Sequence, residues 1–159
     1  MMKTRPEVHG VLNVDKPAGM TSHDVVDVVR RILGMQRIGH TGTLDPQATG
    51  VLPVCVGRAT RIAQYLTQAE KEYVMTLRLG ITTDTLDAAG KETGRADAAH
   101  VRCEDVEAIL PRFVGEIQQV PPIYSAKKYQ GERLYRLARR GEVVERPPVA
   151  VKVFALELL

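Results

Sequence analysis

Residues 37–50, Arg-Ile-Gly-His-Thr-Gly-Thr-Leu-Asp-Pro-Gln-Ala-Thr-Gly, concentrate the chemistry this chain could perform. An aspartate in a glycine-rich bend between apolar segments can be held rigidly with its carboxylate open to a cleft. Pro46 fixes its own φ and biases Asp45 towards an extended backbone. With an ordinary aspartate pKa of about 3.9, such a carboxylate is charged in the cell and suits a nucleophile or a general base. The same pattern also fits a capped turn in which Asp45 only accepts backbone N–H bonds, because Asp-Pro is a common turn starter.

Other chemical signatures fail. No phosphate-binding G-x-x-x-x-G-K-[ST] loop occurs, and no G-x-G-x-x-G opens a helix after a strand. Ser22 and Ser125 lack the G-x-S-x-G setting of a hydrolase. His9, His23, His40 and His100 are scattered without an H-x-x-x-H metal pair. Asp84 and Asp87 lack the ligand spacing of a calcium loop and read as solvated acids. Cys55 and Cys103 are too few for a disulfide framework, so a reducing cytoplasm is the expected location. Cys55, between Val54 and Val56, reads as a buried structural thiol.

The elements that must position the loop follow from apolar spacing. Residues 8–15 predict a strand that stops at Lys16-Pro17-Ala18-Gly19. Thr21 or Ser22 caps the next helix, with Asp24 in its first turn. Val25, Val28, Val29, Ile32 and Leu33 predict its buried face, Arg30 and Arg31 its exposed one, and Gly34 its end. Residues 37–50 predict no regular element. Val51–Val56 reads as a buried strand, with Pro53 suggesting an edge or an irregularity. A short helix is expected from Thr60 to Leu66.

Tyr73 to Leu79 alternates as a strand, with Tyr73, Met75, Leu77 and Leu79 on one face. Residues 80–100 predict a loop or irregular hairpin. Glu104–Phe113 predicts a helix with Val106, Ile109, Leu110 and Phe113 inward and Pro111 disturbing its last turn. Two prolines make 121–131 extended or looped. Glu132–Arg140 predicts a basic helix ending at Gly141, and Val149–Leu159 a final strand. That strand reaches the last residue without a closing turn, which suggests an incomplete domain. The expected class is α+β, with a mixed, mainly antiparallel sheet and flanking helices.

With 159 residues, 44% of them apolar and 26% charged, the chain has an ordinary globular composition sufficient for one domain. Its apolar runs are too short for a bilayer, and residues 1–20 do not resemble a signal peptide. The net charge of +3 is uneven: residues 119–159 carry 8 basic and 4 acidic side chains, whereas 71–118 carry 6 and 9. A basic last quarter suits either a polyanion partner or a solvated helix face. Seven aromatics in all exclude a broad base-stacking platform.

The string His40-Thr-Gly-Thr-Leu-Asp-Pro-Gln-Ala-Thr-Gly-Val-Leu52 closely resembles the catalytic-loop motif of the tRNA pseudouridine synthase B family, which modifies uridine-55 in the T arm. Gly10-Val-Leu-Asn-Val-Asp-Lys-Pro-Ala-Gly-Met-Thr-Ser22 resembles that family's N-terminal strand and Lys-Pro loop. Lys71–Gly80 with Thr83–Asp87 resembles its tyrosine-bearing strand, and Gln119–Gly141 its RNA-clamping insertion. Four motifs in order favour this family over a capped turn of no catalytic purpose.

By that resemblance the reaction converts uridine to pseudouridine without cofactor or metal. Asp45 matches the nucleophile, acting either by covalent capture or by abstracting the C2′ proton. Tyr73 matches the tyrosine that stacks on the target base, and His40 the histidine that helps hold the opened T loop. Lys127, Lys128, Arg133, Arg136, Arg139 and Arg140 match the basic clamp, placed at about 121–146. The resemblance implies a monomer that meets tRNA through the T-arm stem-loop, with no membrane partner. The family's catalytic domain continues into a later strand whose tyrosine and arginine complete the site, and then into an RNA-binding domain; residues 1–159 match neither. The expectation is therefore a partial catalytic domain, weakly active or inactive alone. A noncatalytic RNA-binding or tRNA-folding module is the alternative, and a guide-RNA-dependent subunit a weaker third.

Overall fold

The computed structural model describes residues 8–123, 128–129, 131–133, 137, 140, 142 and 144–159. The chain forms two compact units, Met1–Val74 and Met75–Leu159. All strand pairs among the described residues are antiparallel and form separate small sheets, so the α+β class holds without one continuous sheet.

In the first unit, β1 (Gly10–Lys16) pairs along its whole length with β3 (Gly50–Val56), from Gly10 opposite Val56 to Lys16 opposite Gly50. The other edge of β3 takes β2 (Ile38–His40). A strand was not expected inside 37–50. It forms because three residues can complete the free edge of β3 before Gly42 and Pro46 break the ladder. Pro53 therefore lies on the middle strand, not on an edge. Its carbonyl accepts from Thr41 N–H at 3.1 Å, just past the last paired residue of β2. A residue's N–H and C=O point to the same side of a strand, so the missing donor of Pro53 falls where that ladder stops.

Helix α1 (Ser22–Leu33) covers this sheet. Thr21 caps it: Asp24 N–H donates to the Thr21 hydroxyl at 3.1 Å, and Thr21 N–H returns a bond to the Asp24 carboxylate at 2.8 Å. Gly34, at φ 64°, supplies the left-handed stop. The buried stripe is rotated from the expected one. Ser22, Val25, Val26 and Val29 are buried, whereas Ile32 is 68% exposed. At about 100° per residue, Ser22, Val25, Val26, Val29 and Leu33 share one stripe, and Val28 and Ile32 fall beside it. Arg30 is not simply exposed either: its guanidinium reaches Asp27 at 2.9 Å and the Ile38 carbonyl at 3.0 Å, tying α1 to β2. Val25, Val26 and Val29 join Ile38, Leu52, Val54 and Val56 in the core, with Met20 and Leu44 packed against it. A 3₁₀ turn (Gly57–Ile62) and α2 (Ala63–Thr67) replace the single short helix expected there.

In the second unit, β4 (Ile81–Thr83) and β5 (Glu92–Arg95) form the expected irregular hairpin, with a register shift after Thr82. Asp84 and Asp87 bond within its loop: Lys91 N–H donates to Asp84 and the Thr85 hydroxyl to Asp87. Helix α3 (Cys103–Ile109) passes into a 3₁₀ turn (Leu110–Phe113) at Pro111, where a missing N–H ends the α ladder. Ile109 and Phe113 are 45% and 50% exposed rather than inward. Strand β6 (Gly115–Gln119), not anticipated, pairs with β9 (Val149–Val153), which stops short of the predicted Leu159.

Strands β7 (Lys128–Tyr129) and β8 (Glu132–Arg133) form a small hairpin about Gly131. Glu132 and Arg133 are therefore not the start of a helix, although Leu137 is helical. Residues 73–79 form no strand either. Among the described residues nothing pairs with them, and an extended segment without a ladder partner is not a strand.

Candidate active site

The bend from Thr41 to Thr49 leaves the end of β2 and returns into β3. Its anchor is Leu44, whose side chain packs on the core of the first unit. The buried Ser22 hydroxyl, at the start of α1, addresses both backbone groups of Leu44. It accepts from Leu44 N–H at 2.9 Å and donates to the Leu44 carbonyl at 3.2 Å. One residue on, the Asp45 carbonyl accepts from Ala48 N–H at 3.0 Å and closes a turn over Pro46 and Gln47. One further, the Pro46 carbonyl accepts from Gly19 N–H at 2.8 Å and from Lys16 Nζ at 3.2 Å. Gly19, at φ 86°, takes a backbone conformation that L side chains rarely adopt. Three successive carbonyls are thus fixed around the acid.

Lys16 is completely buried. Its ammonium donates to Met20 O at 2.7 Å, Pro17 O at 2.9 Å and Pro46 O, so its three N–H donors meet three carbonyls. A buried charge costs several kcal/mol unless hydrogen-bonded. Here that cost is offset by joining the Lys-Pro loop to the Asp45 bend.

The carboxylate itself is exposed and makes no hydrogen bond or ion pair among the described residues. The capped-turn reading, in which Asp45 accepts backbone N–H bonds through its side chain, therefore does not describe this bend; its backbone carbonyl closes the turn instead. His40, half-buried at the end of β2, lies 2.7 Å from the Gly42 carbonyl through Nδ1. A carbonyl only accepts, so Nδ1 carries the proton and Nε2 is left for another partner. His40 thus ends the strand that leads into the bend bearing Asp45. Tyr73, 61% exposed within residues 70–78, which belong to no helix or strand, has no hydrogen bond or ring contact among the described residues.

Lys127, Arg136 and Arg139 lie outside the described residues. Lys128 is on β7 and Arg133 opposite it on β8. The guanidinium of Arg140 is engaged by Glu132, at 2.6 and 2.9 Å, and by Glu142 at 2.6 Å, which raises its pKa above the ordinary arginine value. Among the described residues no group of three metal-ligating side chains occurs. An open groove of about 640 Å³ in the second unit, lined by Leu110, Val114 and Leu158, includes no residue of the bend.

Sequence alone does not single out Lys16 and Ser22 as site residues. Ser22 reads there as a helix cap and Lys16 as a loop cation. The signal was the Lys-Pro-x-Gly-x-Thr-Ser order, but nothing local says that the ammonium turns inward.

The fold matches solved structures. A Cbf5-Nop10-Gar1 complex contains a chain with TM-score 0.57 and 29% identity, covering 94% of this chain and 36% of that one. An H/ACA RNP bound to a substrate RNA containing 2′-deoxyuridine gives TM-score 0.51 and 39% identity over 69% of this chain and 29% of its counterpart. Residues 30–159 match the profile described as TruB family pseudouridylate synthase, N-terminal domain. Fold and profile together define the class: the N-terminal domain of the TruB pseudouridylate synthase family.

Similar sequences narrow this. A tRNA pseudouridine synthase B of Caldanaerobacter subterraneus subsp. tengcongensis is 55% identical over 152 residues, 96% of this chain and 53% of the relative. Its counterpart in Symbiobacterium thermophilum is 56% identical over 153 residues, 96% and 51%, and that of Stutzerimonas stutzeri 51% identical over 157 residues, 99% and 51%. The chain belongs to the TruB family. It spans about half the length of these relatives.

Proposed function

We propose that these residues form the nucleophile-bearing part of a tRNA pseudouridine-55 synthase that acts on the T-arm stem-loop, as a monomer in the cytoplasm. The N1–C1′ bond of uridine breaks, a C5–C1′ bond forms, and a proton moves from C5 to N1. The isomerisation has no net redox change and no group donor. Asp45 is the nucleophile, His40 holds the opened loop through Nε2, and Tyr73 stacks on the extruded base. Extrusion from the tRNA elbow costs about a few kcal/mol. Phosphate contacts from the clamp at about 121–146, with Lys127, Lys128, Arg133, Arg136, Arg139 and Arg140, offset it. Arg140 must exchange Glu132 and Glu142 for phosphate when it does so.

The observation that carries this reading is the combination at Asp45: a carboxylate without a partner among the described residues, on a backbone pinned at three successive carbonyls. An acid engaged in structure would be bonded; this one is presented. The test is a chimera joining residues 1–159 to the remainder of the Caldanaerobacter relative, given a T-arm hairpin tritiated at uridine C5. Tritium release and pseudouridine formation are expected, falling by about 10⁴-fold or more in Asp45→Asn. Hairpin binding without product would instead establish an RNA-binding module.

A further inference from the structure

We infer that Ser22 is a positioning residue for the reaction, setting the orientation of Asp45 through the Leu44 peptide; the inference rests on the proposed role of Asp45. The Leu44 carbonyl belongs to the peptide plane that begins Asp45, so fixing it fixes the direction from which the chain enters the acid. A single hydroxyl does this from both sides, accepting Leu44 N–H at 2.9 Å and donating to Leu44 O at 3.2 Å. It acts as a one-residue strand partner for a loop that has no ladder at that point. Ser22 is 3% exposed and lies on the buried stripe of α1, so water cannot take its place. It is also not the cap of the helix: Thr21 performs that task, which leaves the Ser22 hydroxyl wholly for Leu44.

The other two carbonyls are secured by different groups. Asp45 O is held within the bend by Ala48, and Pro46 O by Gly19 and Lys16. Those bonds fix the exit from Asp45 and Ser22 fixes the entry. With Pro46 keeping Asp45 extended, freeing the entry plane leaves the carboxylate swinging about a fixed far end. A misplacement of about 1 Å at a reacting group costs about 10²-fold in rate, with little effect on binding made elsewhere. The substrate RNA is held mainly through phosphates, so the deficit belongs in kcat and not in KM.

Two readouts test this with Ser22→Ala and Ser22→Thr. In the 159-residue chain, hydrogen exchange at Leu44 N–H is expected to accelerate at least about tenfold in Ser22→Ala and to return towards the parent rate in Ser22→Thr, while Leu52 and Val54 stay protected and report an intact sheet. In the chimera, Ser22→Ala is expected to lower kcat by about 10- to 100-fold with KM within about twofold, and Ser22→Thr to recover most of it. Unchanged Leu44 exchange, an unchanged kcat, or a threonine that rescues neither quantity overturns the inference. A parent chimera without turnover would sink the role of Asp45 instead, and Leu44 exchange would still decide whether the hydroxyl clamps the bend.

Discussion

Lys16 shows how much of the Asp45 bend is held by a group shut inside the fold. Its ammonium is shut from water and held by main-chain oxygens, without a carboxylate partner among the described residues. Lys16→Met keeps the stem and removes the bonds, leaving buried carbonyls short of donors. It is expected to destabilise the first unit by about 2–4 kcal/mol, read from urea unfolding; an unshifted midpoint would refute the role given to the ammonium. The two cysteines differ in the opposite sense. Cys55 is wholly buried and burial pushes its thiol pKa up, whereas Cys103 is exposed. Iodoacetamide at neutral pH is expected to label Cys103 in the native chain and Cys55 only after denaturation, as peptide mapping would show.

At the scale of elements, α1 depends on its first turn. The Thr21 hydroxyl and then the Thr21 backbone N–H bond the charged form of Asp24, holding its pKa below the ordinary aspartate value. The stabilisation is therefore complete above about pH 4, where an unfolded aspartate is also charged, and is lost as pH falls through the folded value. Asp24→Ala is expected to lower the unfolding midpoint at pH 7, with the gap to the parent closing below that range; a gap independent of pH would contradict this. That cap was legible because Thr-x-x-Asp before a valine run is a local signal. The stripe is less so, since Ser22 reads as a cap candidate and Val26 falls outside the expected face, and tertiary contact with Leu44 and the sheet decides otherwise. The strand at 38–40 was hidden by its glycine and by its shortness, and the strand expected at 73–79 shows the converse: alternation announces a face, not a partner.

At the scale of the molecule, the core of the first unit is small and dense. Leu52 is 1% exposed and central to it. Leu52→Ala is expected to cost about 3 kcal/mol in chemical denaturation. The stretch from Lys71 to Leu79 is exposed throughout and joins no strand ladder among the described residues. Limited trypsin digestion is expected to cut at Lys71 or Arg78 well before Arg30, whose peptide lies within a helix. Mass spectrometry showing early cleavage at Arg30 would contradict this. Sequence motifs located the acid and its bend, but not the way distant segments hold them, because a lysine or serine code carries no mark of the direction in which its side chain turns.

The bracing of the bend by residues 16–22 has a consequence for protein engineering. Grafting the Thr41–Gly50 stretch alone onto a foreign scaffold would transfer Asp45 and leave behind the segments that fix its backbone. A portable module has to be cut as two ribbons, the Lys-Pro loop with the first turn of the helix and the acid-bearing bend, moved together and in register.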